Sequence, residues 1–247
     1  MLTSCDEILP GRLKLLQPQT GPRVNLDTIL LYSWVKFRSG HFRYLEAGCA
    51  AGAVSLLLAR KFRNIHVTGV EIQGELADLA KTNAKTNGLA DRVTFIAGDI
   101  RDKELLPRGH FDVLVINPPY ESQSRGRTSP EPSRSAARHE LTCTPDDVAE
   151  MASRVLRSRG RMFSIFTCAR LAVFVSALTS QRIIPKRIRF VHPNAGSGAN
   201  IFLLESIKDG GEGLCVLPPL YVRGADGKYT PEVLRAYEIE EEQCTRY

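Results

Sequence analysis

The chain has 247 residues, 43% hydrophobic and 24% charged, the composition of an ordinary globular protein. No apolar stretch is long enough to span a bilayer. The first residues, with Asp6, Glu7, Arg12 and Lys14, lack the apolar core of a signal peptide, so a cytoplasmic location with no membrane partner is expected. The formal charge of +6 and the pI of about 9.1 permit nucleic-acid binding without requiring it.

Apolar runs then alternate with helical periods, the pattern of an α/β sheet. Residues 1–40 read as an N-terminal cover segment, in which Leu30, Leu31, Trp34 and Val35 share a helical face and are assigned to the core. The remainder, 41–247, reads as one α/β domain. His41 to Glu46 is a first predicted strand, followed by a helix over Ala53 to Arg60. Ile65 to Glu71 is the second strand. The next helix carries Leu76, Leu79 and Ala80 on one face and stops at Asn87-Gly88. Val93 to Ala97 and Phe111 to Ile116 are the third and fourth strands.

Residues 121–138 break the pattern, with five serines, four arginines and almost no apolar side chains, and read as a mobile surface loop. Thr144-Pro145-Asp146-Asp147 then signals a helix start, with a threonine cap, proline at the first position and acids at the positive end. Val148, Met151, Ala152, Val155 and Leu156 form its apolar stripe. Gly160 to Phe166 is a fifth strand, Leu171 to Thr179 a helix, and Ile184 to Val191 and Asn200 to Glu205 two more strands; residues 209–213 form a turn. The acidic stretch from Glu238 to Glu242 reads as a solvated helix face or tail. Six cysteines, at 5, 49, 143, 168, 215 and 244, make no CxxC pair. That spacing argues for reduced, mostly buried thiols, and no metal is expected.

Chemistry concentrates at the ends of four consecutive strands, where a doubly wound sheet binds ligands. Glu46-Ala47-Gly48-Cys49-Ala50-Ala51-Gly52 is a small-residue loop opening a helix. It lets a ligand approach the backbone, although close strand–helix packing explains it equally well. Glu71 ends the second strand, where an acid can accept two hydrogen bonds from a ribose; its alternative is a solvated acid. Asp99, after the third strand, can take an adenine amino hydrogen, although aspartate is common in turns. A Gly-rich loop, an acid about 20 residues on and a second acid describe a nucleoside-bearing ligand. The fourth strand ends in Asn117-Pro118-Pro119-Tyr120.

This combination resembles the class I S-adenosylmethionine methyltransferases, specifically those with an Asn/Asp-Pro-Pro-Tyr/Phe tetrapeptide. The resemblance implies a Rossmann-like fold, with a seven-stranded, mostly parallel sheet and helices on both faces. It also implies S-adenosyl-L-methionine as cofactor, with Glu46, Gly48, Ala50, Gly52, Glu71, Ile72, Asp99, Ile100 and Asn117 around it. Asn117, Pro118, Pro119 and Tyr120 would hold a planar amino group. An amide or ring amine is a poor nucleophile because its lone pair is conjugated. The Asn117 side-chain oxygen and the Pro118 carbonyl can each accept one of its hydrogens, while Tyr120 stacks on the ring. Gln17, Gly21, Arg23 and Asp27, "ARHE" at 137–140, "FVHPNAGSGANIFLLES" and the late "GKYTPEV" extend the similarity to the bacterial tRNA(Val) adenine-N6 methyltransferase family.

Methyl transfer to adenine N6 in tRNA is therefore the expected activity, and an anticodon-loop base suits it, being cheap to unstack. Protein glutamine N5-methyltransferases and rRNA guanine-N2 methyltransferases share the tetrapeptide and remain alternatives, as does a non-catalytic RNA-binding module. Arg23, Arg125, Arg127, Arg134, Arg138 and His139 are the expected RNA contacts; His139 is not assigned to the chemistry, which needs no imidazole. Two departures from the family stand out. Glu46 replaces the usual aspartate. Ala50 replaces the middle glycine, which is tolerable if the backbone there keeps φ below zero.

Overall fold

The computed structural model describes residues 1–9, 11, 13–36, 42–118 and 143–237. The expected loop at 121–138, the acidic stretch at 238–242, Pro119 and Tyr120, and the arginines and histidine of residues 125–139 lie outside the described residues. The chain opens with an antiparallel hairpin, β1 (Thr3–Ile8) and β2 (Leu13–Pro18), then α1 (Leu26–Trp34). There follow β3 (Phe42–Ala47), α2 (Ala53–Lys61), β4 (Ile65–Glu71), α3 (Gly74–Thr86), β5 (Val93–Ala97) and β6 (Phe111–Ile116). After α4 (Pro145–Val155) come β7 (Leu156–Thr167), a 3-10 turn at Cys168–Arg170, α5 (Leu171–Ser180), β8 (Ile183–His192) and β9 (Ile201–Lys208). The short strands β10 (Cys215–Val216) and β11 (Leu220–Tyr221) and the helix α6 (Pro231–Ala236) complete it.

The central sheet runs β5-β4-β3-β6-β7-β9-β8-β10, with β11 also on β8, and only β9 is antiparallel to its neighbours. The seven expected strands are present. The two-residue β10 and β11 raise the count to nine, too short to leave an apolar run in the sequence.

Strand alternation splits the interior into two cores. Val113 and Val115 of β6 face α1, α2, α3 and α6, together with Leu30, Leu57 and Phe95. Leu114 and Ile116 face α4 and α5, together with Met151, Phe174 and Phe202. All six residues of β6 are buried, which fits a central parallel strand. Its one acid, Asp112, is paired with Arg157 at 2.6 Å and accepts the Arg43 backbone N–H at 2.7 Å.

The start of α4 is as expected, with Thr144 and Asp147 capping each other and Pro145 in the first turn. Its end is not. Leu156, assigned to the helical stripe, is extended and begins β7, four residues before Gly160. The added segment is polar, a register shift separates its pairing with β6 from the rest, and Arg159 has φ +66°, so no regular apolar alternation marks it. Among the described cysteines only Cys49 is buried; Cys5 and Cys215 are exposed, correcting the expectation of mostly buried thiols. No helix among the described residues is long and apolar enough to cross a membrane.

The hairpin docks through side chains rather than through the sheet. Asn83 of α3, fully buried, accepts the Leu16 N–H at 2.8 Å and donates to the carbonyls of Leu16 and Ala51, each at 2.9 Å. One turn on, Asn87 accepts the Lys14 N–H at 3.0 Å and donates back to Lys14 at 2.7 Å. Two amides at helical spacing thus act as a strand for β2. Replacing Asn83 by Ala strips three backbone groups of their partner and is expected to cost roughly 2–4 kcal/mol. Urea unfolding measures it; a loss below about 0.5 kcal/mol would mean that water replaces the amide.

Candidate functional site

All the parallel strands end on the same edge of the sheet, and the β3–α2 loop there is tightly constrained. Gly48 has φ +71°, and its N–H donates to Val70 at 2.9 Å. Gly52 has φ +85°, and a Cβ on it would meet the Phe95 ring at 2.6 Å, so only glycine fits. Ala50 has φ +45°, contrary to the condition under which alanine was acceptable. The left-handed conformation costs an L-residue about 1–2 kcal/mol. Glu71 helps to hold it there, its Oε2 accepting the Ala50 N–H at 2.9 Å. Glu71 Oε1 accepts the Gln73 N–H at 3.0 Å, and the side chain is buried, so Glu71 is not a solvated surface acid. Each oxygen keeps a second lone pair for a ligand.

Glu46, at the end of β3, is buried too. Its Oε2 accepts the Ser55 N–H at 2.7 Å and, closer still, the Ser55 hydroxyl, so it caps the first turn of α2. Burial pushes its carboxyl up to about 8, against the pull of the two Ser55 hydrogen bonds and with a further push from Glu71. The folded state therefore holds a proton that the unfolded chain, near the ordinary value of 4.5, releases. Stability from this group is complete below about pH 4.5 and is lost between there and about pH 8. The slope is about 1.4 kcal/mol per pH unit. Glu46→Gln is expected to remove that slope, read as the difference between wild-type and variant unfolding free energies from pH 5 to 8. A constant difference would show that Glu46 ionises as an ordinary surface acid.

Asn117 follows β6 directly. Its side-chain oxygen is buried and has no hydrogen-bond partner among the described residues. A buried acceptor left open costs about 1–3 kcal/mol, so it is retained for something. Asn117 and Pro118 line a cleft of about 440 Å³ with Glu46, residues 48–51, 53 and 54, Gln17 and the segment 21–25. The N-terminal segment is thus one wall of the cleft. Gln17 stiffens that wall, accepting the Val24 N–H at 2.7 Å and donating to Asp6 at 2.8 Å. Arg23 donates to Asp6 at 2.8 Å, to Pro18 at 2.7 Å and to Ser4 at 3.0 Å, so its guanidinium is fixed on the hairpin while the residue stays exposed at the rim of the cleft.

The remaining expected residues divide. Ile72, 37% exposed, presents an apolar surface beside Glu71. Asp99 is gripped by the Arg101 guanidinium, with contacts of 2.9 and 2.5 Å to Oδ2, which holds its carboxyl below the usual range. Its carboxylate is thus shared with Arg101, although the side chain stays 31% exposed. The Ile100 side chain packs into the second core, directly after Asp99. What reasoning from the sequence missed is Arg154. Buried on α4, it donates to the carbonyls of Ile100, Asp102, Lys103 and Leu106 at 3.0–3.3 Å and organises the chain after β5. An arginine on the otherwise apolar stripe of a helix is the signal that could have found it.

A family model described as a methyltransferase domain matches residues 38–185, more than half of the chain. The chain belongs to the methyltransferase family. This methyltransferase is 32% identical over 178 residues, 69% of each chain, to the tRNA1(Val) (adenine(37)-N6)-methyltransferase of Porphyromonas gingivalis. The protein of the same name from Tolumonas auensis is 27% identical over 223 residues, 88% of this chain and 89% of that one. In fold, the methyltransferase resembles a predicted O-methyltransferase from Agrobacterium tumefaciens, with a TM-score of 0.71, 23% identity and coverage of 86% of this chain and 95% of the other. Its cofactor is S-adenosyl-L-methionine. The open space at Gly48, where a Cβ would meet nothing within 4 Å, and the free lone pairs of the buried Glu71 fit that group's chain and nucleoside.

Proposed function

We propose that the protein transfers a methyl group from S-adenosyl-L-methionine to the exocyclic N6 of an adenine in a tRNA. The observation that carries this reading is the buried Asn117 oxygen, without a partner among the described residues, in a cleft shared with the β3–α2 loop. The cofactor, when bound, supplies a methyl group already activated on a sulfonium. Gly48 and Ala50 give it close backbone approach, Gly52 seats their loop against Phe95, and Glu71 accepts hydrogen bonds from its ribose. Ile72 packs against its adenine, and Asp99 serves that ring once Arg101 releases it.

Asn117 Oδ1 accepts one hydrogen of the target amine, and the Pro118 carbonyl accepts the other. Holding both hydrogens turns the nitrogen lone pair toward the incoming methyl. Positioning of this kind, rather than a strong base, supplies most of the rate. As the nitrogen–methyl bond forms, the sulfur–methyl bond would break to leave a neutral thioether, and the methylated nitrogen loses its proton to water. Residues 1–40 act as the cover and 41–247 as the methyltransferase domain, with Pro119 and Tyr120 completing the tetrapeptide. A tRNA substrate puts the activity in the cytoplasm.

The relatives' names support adenine over glutamine or guanine. The test is mass spectrometry of tRNA nucleosides from cells with and without the gene, paired with transfer by the purified protein. Loss of N6-methyladenosine on deletion is the expected result. Unchanged tRNA, with methylated protein glutamine instead, would overturn it.

A further inference from the structure

The cleft beside Asn117 accounts for only the middle of the ligand-binding edge. Beyond it, in the order β6, β7, β9, β8, β11, the sheet extends roughly 19 Å further, four strand spacings of about 4.8 Å. This outer half carries a distinct chemistry. No acidic residue occurs between Glu150 and Glu205. Arg170, in the turn after β7, lies over the Phe166 ring at 5.9 Å. His192 ends β8, and its ring sits 5.4 Å from that of Tyr221, its partner on β11. The chain then leaves the sheet with the Arg223 N–H donating to Pro193 at 3.0 Å, which puts Arg223 just past the end of β8. The Arg223 guanidinium donates to the Gly227 carbonyl at 2.7 Å and lies 4.9 Å over the Tyr229 ring, which is itself stacked on Tyr237; Lys228 beside it is exposed. Tyr221 is 37% exposed. The acids nearest in the chain are engaged: Asp226 caps the Lys228 N–H at 3.0 Å, and Glu232 is paired with Arg189.

We infer that the strip of Arg170, His192, Tyr221, Arg223 and Lys228 binds the single-stranded RNA nucleotides that flank the target adenine. Aromatic faces interleaved with cations are what an unstacked strand requires, bases stacking on the rings and phosphates meeting the charges. A flipped base also needs its neighbours held, because they have lost a stacking partner. Duplex RNA fits less well, since ring faces at a sheet edge find no exposed bases in it. The inference rests on the RNA-methylation reading above and adds where the strand runs: away from the cofactor, over β7, β9 and β8.

The experiment is filter binding of the full chain to tRNA across a salt series, with cofactor affinity by calorimetry and the thermal midpoint as controls. Tyr221→Ala is expected to weaken binding about tenfold with no change in the salt slope, because a stacking contact releases no counterion. Arg223→Gln and Lys228→Gln should each flatten the slope by about 0.7, the value for one phosphate contact on a single strand. Cofactor affinity and melting should not move, and the KM for RNA should rise without a change in kcat. If wild type binds and methylates tRNA while the Tyr221/Arg223 double variant is indistinguishable from it, the strip is wrong and the function stands. If wild type neither binds nor methylates RNA, both are overturned.

Discussion

Asn117→Ala is expected to lower turnover roughly 100-fold or more while leaving cofactor affinity unchanged, because the interaction removed is made with the reacting amine alone. A second readout separates catalysis from folding. The Asn117 oxygen has no partner among the described residues, so deleting it removes a buried polar cost. The variant should therefore melt no lower than wild type, which is the reverse of what a structural asparagine would do. Asn117→Asp offers an acceptor oxygen in the same place and is expected to retain much of the turnover that Ala loses. Single-turnover assays at saturating RNA decide the matter: near-normal rates for Asn117→Ala would mean that the amine is held elsewhere.

Glu71→Ala should produce the complementary defect. Cofactor affinity is expected to fall by roughly 10- to 100-fold, the worth of a charge-assisted contact of about 1.5–3 kcal/mol. RNA affinity should stay as it was. The structure adds a reason for the upper end of that range. Glu71 also holds the N–H groups of Ala50 and Gln73. Without it, the loop at 48–52 loses the hydrogen bond that keeps Ala50 in a left-handed conformation, and the cradle relaxes before any ligand arrives. Glu71→Gln keeps an acceptor for one of the two and should fall between. An unaltered cofactor dissociation constant in the Ala variant would mean that neither the ribose contact nor the loop bonds of Glu71 matter to the cofactor.

The parts of the fold that were legible in the sequence are those whose side chains answer to one local rule. β4, β5 and β6 begin and end where expected, because Val- and Ile-rich runs are bounded by glycine, proline or acids. The hairpin was not legible. Residues of β1 alternate between exposed and half-buried, so no apolar face betrays a strand, and β2 is held by amides on a distant helix. Among the site residues, Glu46, Glu71 and Asn117 were readable as polar groups ending apolar strands. The engagement of Asp99 by Arg101 and the core packing of Ile100 depend on how one loop turns. The Arg154 contacts join residues about fifty positions apart, which no window of sequence contains.

Asn83 and Asn87 make the hairpin and α3 a single unit of inheritance. A descendant that lost the first two strands would be left with two amides facing an empty groove, and the Ala51 carbonyl would share the one that remained ordered. Swapping this N-terminal segment for that of another enzyme would fail for the same reason unless α3 travelled with it. The front end of the chain and the helix after β4 are therefore expected to change together or not at all, and chimeras should be cut after Gly88 rather than before β3.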